Sequence, residues 1–308
     1  MAPTGSPGPS VRRRLVPVVL LACVLALAAA GAAACAREPQ PSARRKAAVA
    51  AAVSAAAARR STPETSHAPR TGRLVVPMLM YHHVTVLSAK AGDDLRAYTV
   101  SPDDFEAQLR YLLENGYHTV SMKEVQAYLD GGPELPAKPV MVTFDDAWED
   151  CYSVAYPLLR NLGMKATFYV PGNWVENLDG VMSWAQIKEM ADAGMEFGSH
   201  SMTHPYLTKS KASMLTWELE QSKALLEEHT GQKVTALAYP FGLYDDNVIQ
   251  EAQKAGYTSG VTIEPGLWVS KDNLMTLHRI NIPYWTTIDE FAMRLKTPAK
   301  DEEKPPSS

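Results

Sequence analysis

Between residues 74 and 295 the chain alternates short apolar runs with amphipathic stretches, most of which close on a glycine. The apolar runs fall at 74–81, 139–144, 166–170, 195–198, 234–238, 259–263 and 279–282, with a shorter one at 118–121. Their length and apolarity predict buried strands. Between them the spacing turns helical. Phe105, Leu109, Leu112 and Leu113 share one face behind a Ser101 cap, with Asp103 and Asp104 in the first turn. Further helices are predicted over 122–129, 151–162, 184–193, 212–229, 246–255 and 288–295. Gly116, Gly163, Gly194, Gly231 and Gly256 stand where a left-handed residue ends a helix. Strand and helix alternating throughout argue for parallel β–α units. About seven strands in roughly 220 residues favour an α/β fold, a distorted (β/α) barrel forming a single domain.

Composition removes some classes of partner. The 308 residues carry a formal net charge of -4, so no overall basic field would hold nucleic acid. Of three cysteines, Cys23 and Cys35 fall in the N-terminal apolar region and only Cys151 in the expected domain. A lone thiol forms no internal disulfide, so the fold stands on its core or on a metal.

The N-terminus reads as an export segment. Arg12, Arg13 and Arg14 precede an apolar run from Leu15 to about Ala34, the layout of a secretion signal. Three readings stay open over 1–35: a cleaved signal, an uncleaved anchor of the ~20 apolar residues a bilayer requires, or lipid attachment. Ala32-Ala33-Ala34-Cys35 resembles a lipoprotein cleavage box without its usual leucine. Leu20-Leu21-Ala22-Cys23 fits that box better but leaves apolar residues after the cut. All three readings put the domain outside the cytoplasm, touching membrane only through the anchor or lipid. Residues 36–73, mostly Ala, Ser, Pro, Arg and Thr, cannot bury enough to fold and read as a disordered tether. The domain is expected over 74–296, and 297–308 as a disordered tail.

Four of the predicted strands end in polar clusters: His82-His83, Asp145-Asp146, Ser199-His200 with His204 four residues on, and Tyr239-Pro240-Phe241-Gly242. In parallel α/β folds the C-terminal edge of the sheet carries the active site, so clusters far apart in sequence would meet there. Taken alone, His200 and His204 read either as two surface histidines or as imidazoles on one turn sharing a metal; Pro205 disfavours helix at His204. Asp145 and Asp146 read either as caps of the next helix or as functional carboxylates. Two charges closing an apolar run are costly unless paired or metal-bound. One carboxylate with two imidazoles makes the mixed O/N set of a catalytic zinc site with an open position.

With those residues assembled, the domain resembles the NodB-homology polysaccharide deacetylases, carbohydrate esterase family 4. The matching motifs are Thr143-Phe144-Asp145-Asp146, His200-Ser201-Met202-Thr203-His204 and Tyr239-Pro240-Phe241-Gly242. The opening Met78-Leu79-Met80-Tyr81-His82-His83-Val84 looks like the branch acting on poly-N-acetylglucosamine. The resemblance implies a divalent metal, usually zinc, on Asp146, His200 and His204. It also implies Asp145 as general base, the Phe241 N–H at the oxyanion with its ring on the sugar groove, and His82 as general acid. Tyr239, Pro240, Trp148 and Arg279 enter the expected substrate and oxyanion set with Phe241. Many members carry Arg where Ala238 stands, to orient the base; Arg279 is a substitute for it, or else an ordinary ion pair. His278 fits the family's late histidine motif poorly, which favours His82, whose pKa a nearby carboxylate is expected to raise.

Trp148, Trp174 and Trp184 read as sugar-stacking rings or as half-buried packing. His83 would point away from His82, and Cys151 reads as a core residue. The implied activity is hydrolysis of N-acetyl groups on an envelope polysaccharide by a monomeric, extracytoplasmic enzyme. An O-acetyl esterase and a non-catalytic wall-binding module are the rivals. The second gains nothing from a base set beside a metal.

Overall fold

The computed structural model describes Arg70 and residues 72–296. The expected export segment, nearly all of the tether and the tail lie outside them. Among the described residues no helix is long and apolar enough to cross a membrane.

The strands are β1 (Leu74–Val75), β2 (Met78–Tyr81), β3 (His83–Val84), β4 (Thr99–Val100), β5 (His118–Thr119) and β6 (Pro139–Phe144). They continue with β7 (Thr167–Val170), β8 (Glu196–Ser199), β9 (Ala236–Ala238), β10 (Ser259–Val261), β11 (Trp268–Val269) and β12 (Ile280–Asn281). The helices are α1 (Asp93–Ala97), α2 (Pro102–Glu114), α3 (Met122–Leu129), α4 (Tyr156–Asn161), α5 (Trp184–Asp192), α6 (Ala212–Thr230), α7 (Asp246–Lys254) and α8 (Ile288–Arg294). Seven strands form one parallel row, β10-β9-β8-β7-β6-β2-β12, with β5 paired to the start of β6. The row curls until the chain entering β12 meets its far edge. Leu277 donates to Gly260 O and Thr262 to Leu277 O, both at 2.8 Å, and Arg279 N donates to Glu264 O at 2.9 Å. An irregular segment closes the ring where an eighth full strand would stand. The result is the expected distorted barrel.

Alternation along the strands builds two cores. Leu79, Tyr81, Val140, Val142, Phe144, Phe168, Val170 and Leu237 join the large cluster under the helices. Met78, Met141, Tyr169, Ala236 and Ala238 join a smaller one on the other face. The inner face is tight: a Cβ on Gly198 would lie 2.6 Å from the Tyr169 ring, so only glycine lets that tyrosine lie across the barrel. This parity matters at the rim. Position 145 continues the inner face after Met141 and Thr143, and position 82 follows Met78 and Met80.

The elements depart from expectation in three places. The run 74–81 is two strands, because Pro77 has no N–H to give a ladder; β1 instead pairs antiparallel with β11. The helix expected over 151–162 opens as a π-turn, Cys151–Ala155, before α4. Pro157 cannot donate to the carbonyl four residues back, and a widened turn accommodates it. Residues 82–100, to which the periodicity assigns nothing, hold α1 and the parallel β3–β4 pair.

Candidate active site

Parallel register brings the four clusters to one rim. Tyr81 pairs with Phe144, Val170 with Ser199, and Ser199 with Leu237. The residues that follow β2, β6, β8 and β9 therefore emerge side by side. Asp145 N donates to Tyr81 O at 3.0 Å and His200 N to Val170 O at 3.0 Å, carrying the ladder one residue beyond the strands.

Asp145 is buried, and its charge is matched inside the barrel. Arg279, fully buried, grips both carboxylate oxygens at 2.7 Å in a two-pronged pair. Its Nη1 also reaches Thr143 Oγ1 at 3.3 Å and its Nε donates to Thr262 O at 2.8 Å. Burial alone would raise the Asp145 carboxyl. The Arg279 charge and hydrogen bonds, helped by His200 and His82, outweigh it and hold the group well below the usual carboxylate range. Asp145 is thus ionised at any working pH. Full burial takes Arg279 out of the expected substrate-contacting set; it serves Asp145 instead.

Asp146, His200 and His204 each offer one ligand atom, all within 4.8 Å of one another. Asp146 Oδ1 lies 3.7 Å from Nε2 of both histidines. Ligand atoms about 2.0–2.2 Å from a shared tetrahedral ion stand at nearly that spacing. His200 Nδ1 meets Ala238 O at 2.8 Å, so its proton sits on Nδ1 and the Nε2 lone pair faces inward. Burial pulls the His200 imidazole down, and burial with the neighbouring His200 takes His204 down to about 4. Both rings are neutral ligands near neutrality. Asp146 Oδ1 is buried without a hydrogen-bond partner, the kind of orphan an ion satisfies. The donor set therefore fits a divalent metal.

The loop carrying His204 is held in an unusual shape. Ser201 and His204 both have left-handed backbone, at φ 63° and 59°, which costs non-glycine residues energy unless neighbours enforce it. Ser201 Oγ accepts from His204 N at 3.0 Å. Glu218, buried on α6, accepts from the N–H groups of Met202 and Thr203 at 2.8 Å and from the Thr203 hydroxyl. Glu218 does not stand out in the sequence as a site residue. Its signal was a carboxylate on the buried stripe of α6 with Leu215, Leu219 and Leu226.

His82 Nε2 stands 4.0 Å from Asp145 Oδ2, and its ring packs on Tyr98 with centroids 4.6 Å apart. Its pKa moves opposite to expectation. Burial lowers it by more than Asp145 and Asp146 raise it, because the imidazole has lost its water. His278 pairs at 3.4 Å with Glu264. Tyr239 is buried, its hydroxyl given to Met275 O at 2.9 Å and its N–H to Val261 O at 3.1 Å. Pro240 is buried as well, so these two expected substrate contacts face the core. Phe241 differs: it takes a left-handed φ of 61° and lies 43% exposed. Its ring stacks on Tyr206 at 4.2 Å and meets His204 edge-on at 4.6 Å. Trp174 packs 5.1 Å from His204. Trp184 is stacked on His229 at 4.0 Å, a packing role. Cys151 is buried with its thiol toward His82 O at 3.3 Å and its pKa raised by burial, which leaves it no nucleophile.

Comparison with known proteins adds to this geometry. A family model described as polysaccharide deacetylase matches residues 132–260. YxkH of Bacillus subtilis (strain 168), a chain named as a polysaccharide deacetylase, is 34% identical over 207 residues, 67% of this chain and 71% of that one. The poly-beta-1,6-N-acetyl-D-glucosamine N-deacetylase of Staphylococcus aureus (strain MRSA252) is 30% identical over 203 residues, 61% of this chain and 69% of the relative. Among solved structures, the Streptococcus pyogenes deacetylase PplD in complex with acetate superposes with a TM-score of 0.67 at 35% identity, covering 73% of this chain and 100% of that one. IcaB from Ammonifex degensii superposes with a TM-score of 0.60 at 26% identity, covering 74% and 97%.

Proposed function

The chain belongs to the polysaccharide deacetylase family, and from that premise we propose that it hydrolyses N-acetyl groups on an extracellular polymer containing N-acetylglucosamine. The observation that carries this reading is the Asp145–Arg279 pair set directly beside the Asp146–His200–His204 ligand set. A binding module needs no ionised carboxylate there. The similarity to the staphylococcal poly-beta-1,6-N-acetyl-D-glucosamine N-deacetylase favours a polymer of that kind, and an exported domain near the envelope suits peptidoglycan too.

Zinc is the ion proposed for Asp146, His200 and His204; when bound, it supplies Lewis acidity that polarises an acetyl carbonyl and acidifies water. Asp145 is the proton acceptor. Arg279 keeps it ionised and fixes its orientation through the two-pronged pair. The Phe241 N–H is the proposed oxyanion donor, on a residue with left-handed backbone; a lost donor of this type commonly costs about 3 kcal/mol. His82 delivers a proton to the departing nitrogen. His82 Nε2 lies 4.0 Å from Asp145 Oδ2, so the proton the carboxylate has taken reaches it through one water or as the contact tightens on substrate, and its lowered pKa makes the charged ring a ready donor. Phe241 and Tyr206 form an exposed aromatic ledge beside His204 that suits a pyranose face.

The test is acetate release from N-acetylglucosamine oligomers and from peptidoglycan, with and without a chelator. Chelator-sensitive release that returns with zinc is the expected result, and the better substrate names the polymer. Asp145→Asn leaves Arg279 one acceptor but no counter-charge, so it should lower stability while keeping zinc binding and losing about 10²–10⁴-fold in turnover. A fully active Asp145→Asn protein would remove the proposed base.

A further inference from the structure

Trp148 closely follows the aspartates, and His83 adjoins His82. The fold joins them. Asp150 accepts from His83 at 2.8 Å through Oδ2 and from Val84 N at 3.2 Å through Oδ1. It thereby ties β3 to the segment after β6, while β3 itself is fixed by pairing with β4. The His83 ring then stacks on the Trp148 indole, centroids 4.5 Å apart and planes within 25°. The backbone of Trp148 is bridged to Val181, and its flanks are pinned by Glu149 N to Gly180 O and Met182 N to Ala147 O. From this clamped position the indole Nε1 donates to Asp146 Oδ2 at 3.3 Å. The other carboxylate oxygen, Oδ1, is the one that faces His200 and His204 and has no hydrogen-bond partner.

We propose that Trp148, clamped by His83 and Asp150, is a positioning residue that fixes the rotation of the Asp146 carboxylate so that Oδ1 alone is presented to the metal. The inference rests on reading Asp146, His200 and His204 as the zinc centre. Its physical content is familiar: a ligand oxygen is aimed by the hydrogen bond made to its twin, and losing such a partner typically weakens metal binding about 10–100-fold. It also changes what the indole is for. One ring face is covered by His83 and the N–H is committed to Asp146, so Trp148 is part of the metal's mounting and not a flat platform for sugar.

Full-length protein, stripped of metal, is titrated with zinc against a chromophoric chelator, and the cobalt-substituted protein is examined for its visible ligand-field bands. Trp148→Phe keeps the ring and removes the N–H; His83→Ala keeps the indole and removes its clamp. The expected result is zinc affinity about 10–100-fold weaker in Trp148→Phe, a smaller loss in His83→Ala, and altered cobalt bands in both. KM on N-acetylglucosamine oligomers should hold steady at saturating zinc. Zinc affinity within twofold of wild type in both variants overturns the proposal, and a raised KM alongside it assigns the indole to the sugar. Wild-type protein that takes up no zinc overturns the metal centre itself, and the clamp with it; the two failures are thereby told apart.

Discussion

At the scale of single residues, Asp145 shows how burial forces a choice. A carboxylate at the end of an apolar strand must be neutralised, and Arg279 arrives from 134 positions away to do it. The two-pronged pair makes Arg and Lys unequal here. Arg279→Leu leaves a buried charge alone and should cost about 3–5 kcal/mol in urea unfolding, with activity lost as well. Wild-type stability in that variant would mean that water or another cation replaces the guanidinium. The sequence pointed to Arg279 as a possible substitute for the arginine missing at Ala238, but the pairing itself could not be read. It depends on the side chain reaching through the barrel interior from the start of β12 to the end of β6. His82 teaches the reverse lesson. A carboxylate neighbour suggested a raised pKa, whereas burial, invisible in sequence, lowers it.

Elements carry the site through their ends. Glu218 on α6 holds the His204 loop by accepting three donors from it. Glu218→Leu strands two backbone N–H groups at roughly 1–3 kcal/mol each and should lower both the melting temperature and zinc affinity. Glu218→Gln, which keeps an acceptor in place, should restore most of the loss; equal damage from both would point to charge as the requirement. At the start of α3, Glu124 closes a capping box with Ser121 and pairs with Lys165 at 2.6 Å. Burial would raise its carboxyl, but the Lys165 and Ser121 hydrogen bonds prevail and lower it. A depressed carboxylate stabilises above its unfolded pKa of about 4.3, and the benefit fades as pH falls through the folded value. The melting-temperature gap between wild type and Glu124→Ala should therefore be open at pH 7 and narrow below about pH 4. A gap constant down to pH 2 would exclude the charge as its source. Helices and strands were legible because periodicity and glycine stops are local. The split at Pro77 answers a partner elsewhere, β11, whereas the π-turn is a local response to Pro157, whose missing N–H can be met by ending a helix as well as by widening its turn.

For the whole molecule, metal and fold should be linked. The three proposed ligands come from the ends of β6 and β8 and from the loop after β8, so an ion bound there would join separate β–α units. Zinc at a hundred times its dissociation constant adds about 2.7 kcal/mol. For a domain of this size that is a rise of about 5–10 °C in melting temperature, and Asp146→Asn should abolish most of it. An unchanged melting temperature in wild type would argue against a preformed site. The sequence by itself determined the parallel β–α architecture and the rim where polar clusters gather, and it brought Asp145, Asp146, His200 and His204 forward as candidates. Alternation, apolar runs and residue chemistry are properties of neighbours along the chain. Only the tertiary structure decided which of the clustered residues turn inward, that Tyr239 and Pro240 are core, that Arg279 pairs with Asp145, and that the Trp148 indole donates to Asp146. Those outcomes follow from strand register and barrel closure, which set distances between residues the chain keeps far apart.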